Sequence, residues 1–431
     1  MKFVRSLAIA LVVLGILSTA IAFQSPSQRA VQKPDGVIEP LRGSTVTYWK
    51  GNLHTHSFWS DGNDFPEMIA DWYKRRGYNF LTMSDHNILS EGQRWINVSG
   101  NEVAMKKYLT RFGTTWVEQR TFGRNKQVRL KPLREFRHVL ESPGKFLMIQ
   151  GEEITHRFAR SPVHLNGINL RDVVIPINGN SVAETIKVNQ RAVEKQQKKT
   201  GRDMLVFLNH PNFGWGIQAR DLVLAEDLKF FEVYNGHPGV RNDGDTDHPS
   251  TERMWDIALA LRLGQYDLPI LFGMATDDAH RYHKYGIGKV NPGRGWIMVK
   301  APFLTAETIV RAIHRGDYFM STGVTLKSVS RKGERLSIVI EEKPGVKYTT
   351  EFIATLRGTK LKPKPPKGKS LPPIYSKEIG KVVATVKGLT PAYEMTGKEL
   401  YVRAKVVSSK PHPNPYKKGD MEVAWTQPFT P

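Results

Sequence analysis

Short apolar runs recur along the chain, separated by stretches in which apolar residues return every three or four positions. Tyr78 to Thr82, Phe146 to Gln150, Met204 to Leu208, Phe230 to Tyr234 and Ile270 to Ala275 read as strands. Helix signals fall between them. Ser181-Val182-Ala183-Glu184 has the form of a capping box, and Gly201 stands where that helix should stop. Ser250 and Gly264 bracket a second helix, with Met254, Trp255, Ala258, Leu259 and Leu261 on its apolar side. Thr305 and Gly316 bracket a third, with Ile309, Val310 and Ile313 facing inward. Strands alternating with helices over 46–321 predict an α/β fold with a parallel sheet long enough to close into a barrel.

The rhythm breaks in three places. Residues 91–144 are basic and rich in aromatics, and read as a helical excursion over the site or as a plain structural insertion. After Thr322-Gly323, β-rich runs (Leu336 to Ile340, Phe352 to Leu356, Lys381 to Val386, Leu400 to Val407) alternate with Pro- and Lys-rich gaps such as Lys360 to Lys369. Residues 322–431 are therefore expected to form a small β-sandwich after the barrel. At the other end, Lys2 and Arg5 precede an apolar stretch from Ser6 to Ala20 and a small-x-small site, Ala20-Ile21-Ala22. That is the form of a secretory signal peptide over 1–22, rather short for a retained anchor. Residues 23–45, with Pro26, Pro34 and Pro40, read as a linker. The expected location is periplasmic or secreted, with no transmembrane segment after cleavage.

The composition is that of a globular chain, 40% hydrophobic and 24% charged. With no cysteine among 431 residues, disulfides, thiolate ligands and cysteine nucleophiles are excluded. Any metal must be held by His, Asp and Glu. The net charge of +22 favours polyanions, anionic surfaces or phosphorylated substrates, unless it is only a solvated basic face. More than half of the excess lies in 322–431, away from the candidate chemistry. No groove-reading or base-stacking motif points to nucleic acid.

The chemistry gathers just beyond the apolar runs, where strand ends of a parallel barrel converge on one rim. Asn52-Leu53-His54-Thr55-His56 leads to Asp61-Gly62. On an extended chain His54 and His56 point the same way and can share a cation. Asp61 follows on the next turn, where Gly62 should free the backbone. Then come Ser84-Asp85-His86-Asn87, Gly151-Glu152-Glu153, Val163-His164-Leu165, Asn209-His210-Pro211 and Asp277-Asp278-Ala279-His280. Six of the 13 histidines fall on these positions. His156 and His237 are the nearest of the others. Arg281 stands ready to clamp an anion, or to form a rim salt bridge, and Asn235 ends a strand that should face the site. Asn209 could face the site or serve the turn before Pro211.

This ordered series, H-x-H-x4-DG, SDHN, GxE, H, HP and D-x-H, resembles the polymerase-and-histidinol-phosphatase (PHP) family over about Gly51 to Arg281. The resemblance implies a distorted TIM-like (β/α)7 barrel with two or three divalent ions, Zn, Mn or Fe. His54, His56, Glu153 and Asp278 would hold the first, and Glu153 would bridge to a second held by His164 and His210. Asp61, His86 and His280 would hold a third. Asp85 is expected to orient a ligand, and Glu152 is the lesser rival of Glu153.

It further implies hydrolysis of a small anionic or ester substrate by a metal-bridging hydroxide, most naturally in a phosphoesterase. The signal peptide, the GEE and ATDDAH segments, the Phe319 to Gly323 junction and the β-rich tail are similar to the secreted CehA/McbA branch, which includes carbamate-ester cleavage. A carboxyl or carbamate ester hydrolase is thus the alternative. A non-catalytic, metal-containing surface-binding protein is the alternative of another class, opposed by the completeness of the ligand set.

Overall fold

The computed structural model describes residues 47–431 except 367, 369 and 370; the expected signal peptide (1–22) and linker (23–45) lie outside them. β1 (Thr47–Asn52) leads through α1 (Pro66–Arg75) to β2 (Phe80–Met83), and the two strands pair in parallel. The chain then leaves the main sheet. β3 (Arg94–Asn97), α2 (Glu102–Phe112), β4 (Gln119–Phe122), β5 (Asn125–Leu130) and α3 (Leu133–Leu140) make a small unit around a three-stranded antiparallel sheet. The expected helical excursion is thus half sheet. Its strands are short and carry Arg94, Arg120 and Arg129, and only Val128 and Leu130 on β5 alternate as buried apolar residues.

β6 (Leu147–Phe158) rejoins β2 in parallel and folds back antiparallel onto β7 (Ser161–Ile168). α4 (Val182–Thr200) leads to β8 (Leu205–Leu208), α5 (Ala219–Leu224) to β9 (Phe230–Asn235), and α6 (Thr251–Gly264) to β10 (Phe272–Thr276). β8, β9 and β10 pair in parallel, whereas β7 and β8 are antiparallel. The helices begin where their caps predict. Ser181 accepts a hydrogen bond from Glu184 N at 3.0 Å, Ser250 one from Arg253 N at 3.1 Å, and Thr305 one from Thr308 N at 3.2 Å. The Glu184 carboxylate reaches Asn180 N rather than Ser181 N, so only half of that capping box forms.

Two departures from an all-parallel closed barrel follow. The sheet is mixed, because β6 continues as strand through Gly151-Glu152-Glu153 and turns tightly into β7. Among the described residues the hydrogen-bonded ladder also does not close. β11 (Trp296–Ala301), α7 (Ala306–His314) and β12 (Tyr318–Ser321) come next, and β11 pairs antiparallel with both β1 and β12. β10 is therefore left at the end of the strand order. Its Gly273 is satisfied by side chains instead: Gln427 donates to the carbonyl and accepts from the N–H, both at 2.9 Å, and the Tyr318 hydroxyl donates to the same carbonyl at 2.9 Å. Only beyond the strand ends do the chains leaving β1 and β10 meet. There Thr55 bridges Ala279, His56 N donates to Ala279 O, and Asp278 N donates to His54 O.

The remaining strands are β13 (Leu326–Lys332), β14 (Arg335–Ile340), β15 (Tyr348–Leu356), β16 (Lys381–Lys387), β17 (Ala392–Glu394), β18 (Glu399–Pro411) and β19 (Met421–Thr426). β13, β14 and β17 form one sheet. β16, β15, β18 and β19 form another that continues into β12. Leu326, Leu336 and Ile338 from the first share one buried cluster with Phe352, Val402, Ala404 and Val406 from the second. Each of these side chains larger than alanine contributes roughly 1.5–3 kcal/mol by leaving water. Arg403 on β18 ties this region to α6, with Nε and Nη2 at 2.8 and 2.7 Å from the two Asp256 oxygens, all buried. Among the described residues no helix is long and apolar enough to cross a membrane.

Candidate metal centre

The nine side chains singled out above converge where the chains leaving β1 and β10 meet. His54 and His56 follow β1, and their Nε2 atoms lie 3.4 and 3.3 Å from one oxygen of Asp278. The same two nitrogens lie 3.6 and 3.4 Å from the two Glu153 oxygens. Glu153, on the extended part of β6, also meets His86 Nδ1 at 2.8 Å, His164 Nδ1 at 3.0 Å and His210 Nε2 at 3.2 Å. Asp61 faces His280 at 3.3 Å, His56 at 3.6 Å and His86 at 3.7 Å.

These atoms fit cations. Ligand atoms about 2.1 Å from a tetrahedrally bound ion stand about 3.4 Å from one another. His54 Nε2 and His56 Nε2 are fully buried, have no hydrogen-bond partner among the described residues, and face carboxylate oxygens at that spacing. Three groups have ligand atoms all within 4.8 Å of one another: His56, Asp61, His86 and His280; His54, Glu153 and His210; and His54, His56 and Asp278. His56 thus adjoins the Asp61 group as well as Asp278, and His164 reaches the centre through Glu153.

The electrostatics follow from putting carboxylates among imidazoles out of water. Burial would raise Glu153, but His54, His86 and His164 outweigh it and hold the carboxyl well below its usual range. Burial would raise Asp278 too, and His54, His56 and His280 bring it down. For His54 burial lowers the imidazole, yet Asp278, Glu232 and Glu153 push it well above its usual value. Burial and then His280 lower His56 to about 3, so it is neutral. Protons on histidine balance the buried carboxylates here, and a divalent cation is the other way of balancing them, with proton release on binding.

Outer contacts fix the geometry. Glu232 lies 2.7 Å from His54 Nδ1; it also accepts from Thr276 Oγ1 at 2.6 Å and from His210 N at 2.7 Å. Asn209, wholly buried, donates to Glu153 at 2.8 Å and to Asn166 at 3.0 Å. Asp85 accepts from Ser57 N, Ser57 Oγ and Ser60 Oγ, so it grips the turn after His56 and not a ligand itself. A Cβ on Gly62 would lie 2.3 Å from His56 O. Gly62 is needed for close approach there, not for an unusual φ. Asp278 itself sits at φ +48, in the left-handed region that side chains other than Asn and Asp seldom enter.

Of the two residues expected at the substrate, Asn235 is turned away from it and Arg281 stands at the rim. Asn235 is fully buried, donating to Glu232 at 2.8 Å and Asp278 at 3.1 Å while accepting from His237 N, so it orients carboxylates instead of facing substrate. Arg281 is exposed and donates to Asp61 O at 3.3 Å, on the rim. Glu152 faces away, accepting from Val174 N. The cavity over the centre has a volume of about 160 Å³; besides candidate ligands it is lined by Phe213, His237 and Val240. His156 does not line it. Glu232 and Phe213 were not singled out by the sequence. A lone acid inside the apolar run Phe230 to Tyr234 is the signal that could have found Glu232.

No protein-family model matches the sequence, and no curated protein does either. Among solved structures the chain is similar to a two-domain protein of Bacteroides vulgatus containing a predicted PHP-like metal-dependent phosphoesterase. The identity is 15%, over 90% of this chain and 95% of that one, with a TM-score of 0.38. A candidate metal-dependent phosphoesterase of Bifidobacterium adolescentis matches at 14% identity, over 64% and 96% of the two chains, with a TM-score of 0.29. An amidohydrolase of Chromobacterium violaceum, with bound sulfate and no metal, matches at 14% identity over 54% and 88%, with a TM-score of 0.27. These likenesses are loose, and the chemistry of the site is carried by its own residues.

Proposed function

We propose that the protein is a metal-dependent hydrolase of the PHP kind, acting most naturally on phosphoesters. One observation carries this reading: nitrogen and oxygen donors from five separate stretches of chain meet around shared positions, with two buried imidazole nitrogens left without a hydrogen-bond partner among the described residues. His54, His56, Asp61, His86, Glu153, His164, His210, Asp278 and His280 would hold two or three divalent ions. Such ions make bound water acidic enough to attack near neutral pH and draw charge from the scissile group.

The chain's own residues do the rest. Glu232 and Asn209 hold His54 and Glu153 in place. Arg281 offers a guanidinium at the rim, where it favours an anionic group. The basic surface adds a general attraction for anions. Lys2, Arg5 and the Ala20-Ile21-Ala22 site support export to the periplasm or beyond, and with it the CehA/McbA-like branch of the family.

Assay of purified, metal-loaded protein on phosphomonoesters, phosphodiesters, aryl carboxyl esters and carbamates tests the reaction. Hydrolysis of a phosphoester that a chelator abolishes is expected. Cleavage of carboxyl or carbamate esters alone would replace phosphoester with carbon-ester chemistry. A metal-loaded protein inert to every ester would leave a binding protein.

A further inference from the structure

Once the nine donors are set aside, the cavity wall consists of Phe213, His237 and Val240. Two are apolar and one carries ring nitrogens. The loop after β9 decides what the ring of His237 can do. Its Nδ1 accepts a hydrogen bond from Gly239 N at 2.9 Å, so in the neutral ring the proton sits on Nε2. Its backbone N–H is held by the Asn235 side chain at 2.8 Å, and its ring meets His280 edge-on at 5.7 Å between centroids. The ring is therefore fixed beside the donors while being none of them.

Phe213 stands on the neighbouring loop, after His210-Pro211, with its centroid 5.3 Å from that of His210. It is 37% exposed, large and apolar at the edge of a polar centre. The cavity itself, about 160 Å³, holds the equivalent of about five waters. It admits the reacting group of a substrate and leaves the remainder against the rim.

We propose that His237 donates its Nε2–H to an oxygen of the substrate, and that Phe213 and Val240 receive the organic part, making the site selective for esters with aromatic or otherwise apolar alcohol groups. This rests on the hydrolase reading above.

The test compares wild type with Phe213→Ala, His237→Phe and His237→Gln, all metal-loaded with metal content measured, on phenyl phosphate and glycerol 2-phosphate. Phe213→Ala is expected to lower the phenyl-to-glycerol ratio of kcat/KM about tenfold, chiefly through KM. His237→Phe is expected to lower kcat/KM for both substrates about tenfold or more at unchanged metal content, with partial recovery in His237→Gln, which keeps an N–H donor. Side-chain 15N shifts, assigned by difference from His237→Gln, should show the proton of His237 on Nε2. An unchanged ratio in Phe213→Ala, full activity in His237→Phe, loss of metal from His237→Phe, or a proton on Nδ1 would each overturn the proposal alone. A metal-loaded wild type inert to both substrates and to the other esters would overturn the hydrolase reading and this proposal with it.

Discussion

Glu232 Oε1 lies 2.7 Å from His54 Nδ1, and this contact turns the other nitrogen of the ring toward Glu153 and Asp278. A carboxylate behind an imidazole fixes its tautomer and raises its basicity toward a cation. Glu232→Gln keeps the shape and removes the charge. Metal affinity should fall roughly 10- to 100-fold, read by competition with a chelator, while far-UV circular dichroism stays unchanged.

Gly62 approaches the His56–Ser57 backbone so closely that a methyl group would sit 2.3 Å from His56 O and 2.6 Å from Ser57 N. Gly62→Ala should push the Asp61 turn away from His86 and His280. The expected result is loss of about one metal equivalent by elemental analysis and a destabilisation of about 1–3 kcal/mol in thermal unfolding.

Glu152 points out of the site into the protein, and burial, only partly offset by the Val174 N–H, pushes its carboxyl up to about 7. Its unfolded value is about 4.3. Between these values the unfolded chain gives up the proton while the folded chain keeps it, so stability falls as pH rises through that window and levels off above it. In Glu152→Gln this slope is absent. From about pH 4 to about pH 8 the stability difference should move toward the variant by up to about 3 kcal/mol, measured by denaturant unfolding. Parallel curves would contradict the assignment.

Arg403 and Asp256 join β18 to α6 inside the protein. Arg403→Ala strands a buried carboxylate and should cost about 3–5 kcal/mol, seen as a large fall in Tm. Because the Gln427 side chain satisfies both backbone groups of Gly273 on β10, Gln427→Ala should also destabilise the sheet, by about 1–3 kcal/mol.

Much of the site was legible because its polar residues follow apolar runs: His86 after β2, His210 after β8, and Asp278 and His280 after β10. The acids within strands were harder to see. Glu232 hides in Phe230 to Tyr234, and a register shift against β10 leaves Val233 as the extra residue. Tyr234 therefore packs on Trp425 although Glu232, two residues earlier, serves the site. Hydrophobic pattern placed the end of β6 near Gln150, because the apolar run gives way to two acids, Glu152 buried away from the site and Glu153 facing it. The same blindness hid the hairpin to β7 and, with it, the mixed sheet. In the 91–144 segment, β4 is exposed throughout and β5 offers only Val128 and Leu130 on its buried face, too short a run for a period-two signal.

The central claim is that these donors share cations. Anomalous diffraction at the Zn, Mn and Fe edges, from crystals of metal-replete protein, tests it directly. Two or three peaks are expected, one beside His54 Nε2, His56 Nε2 and Asp278, and one within Asp61, His86 and His280. A map without a peak at either place would contradict the account.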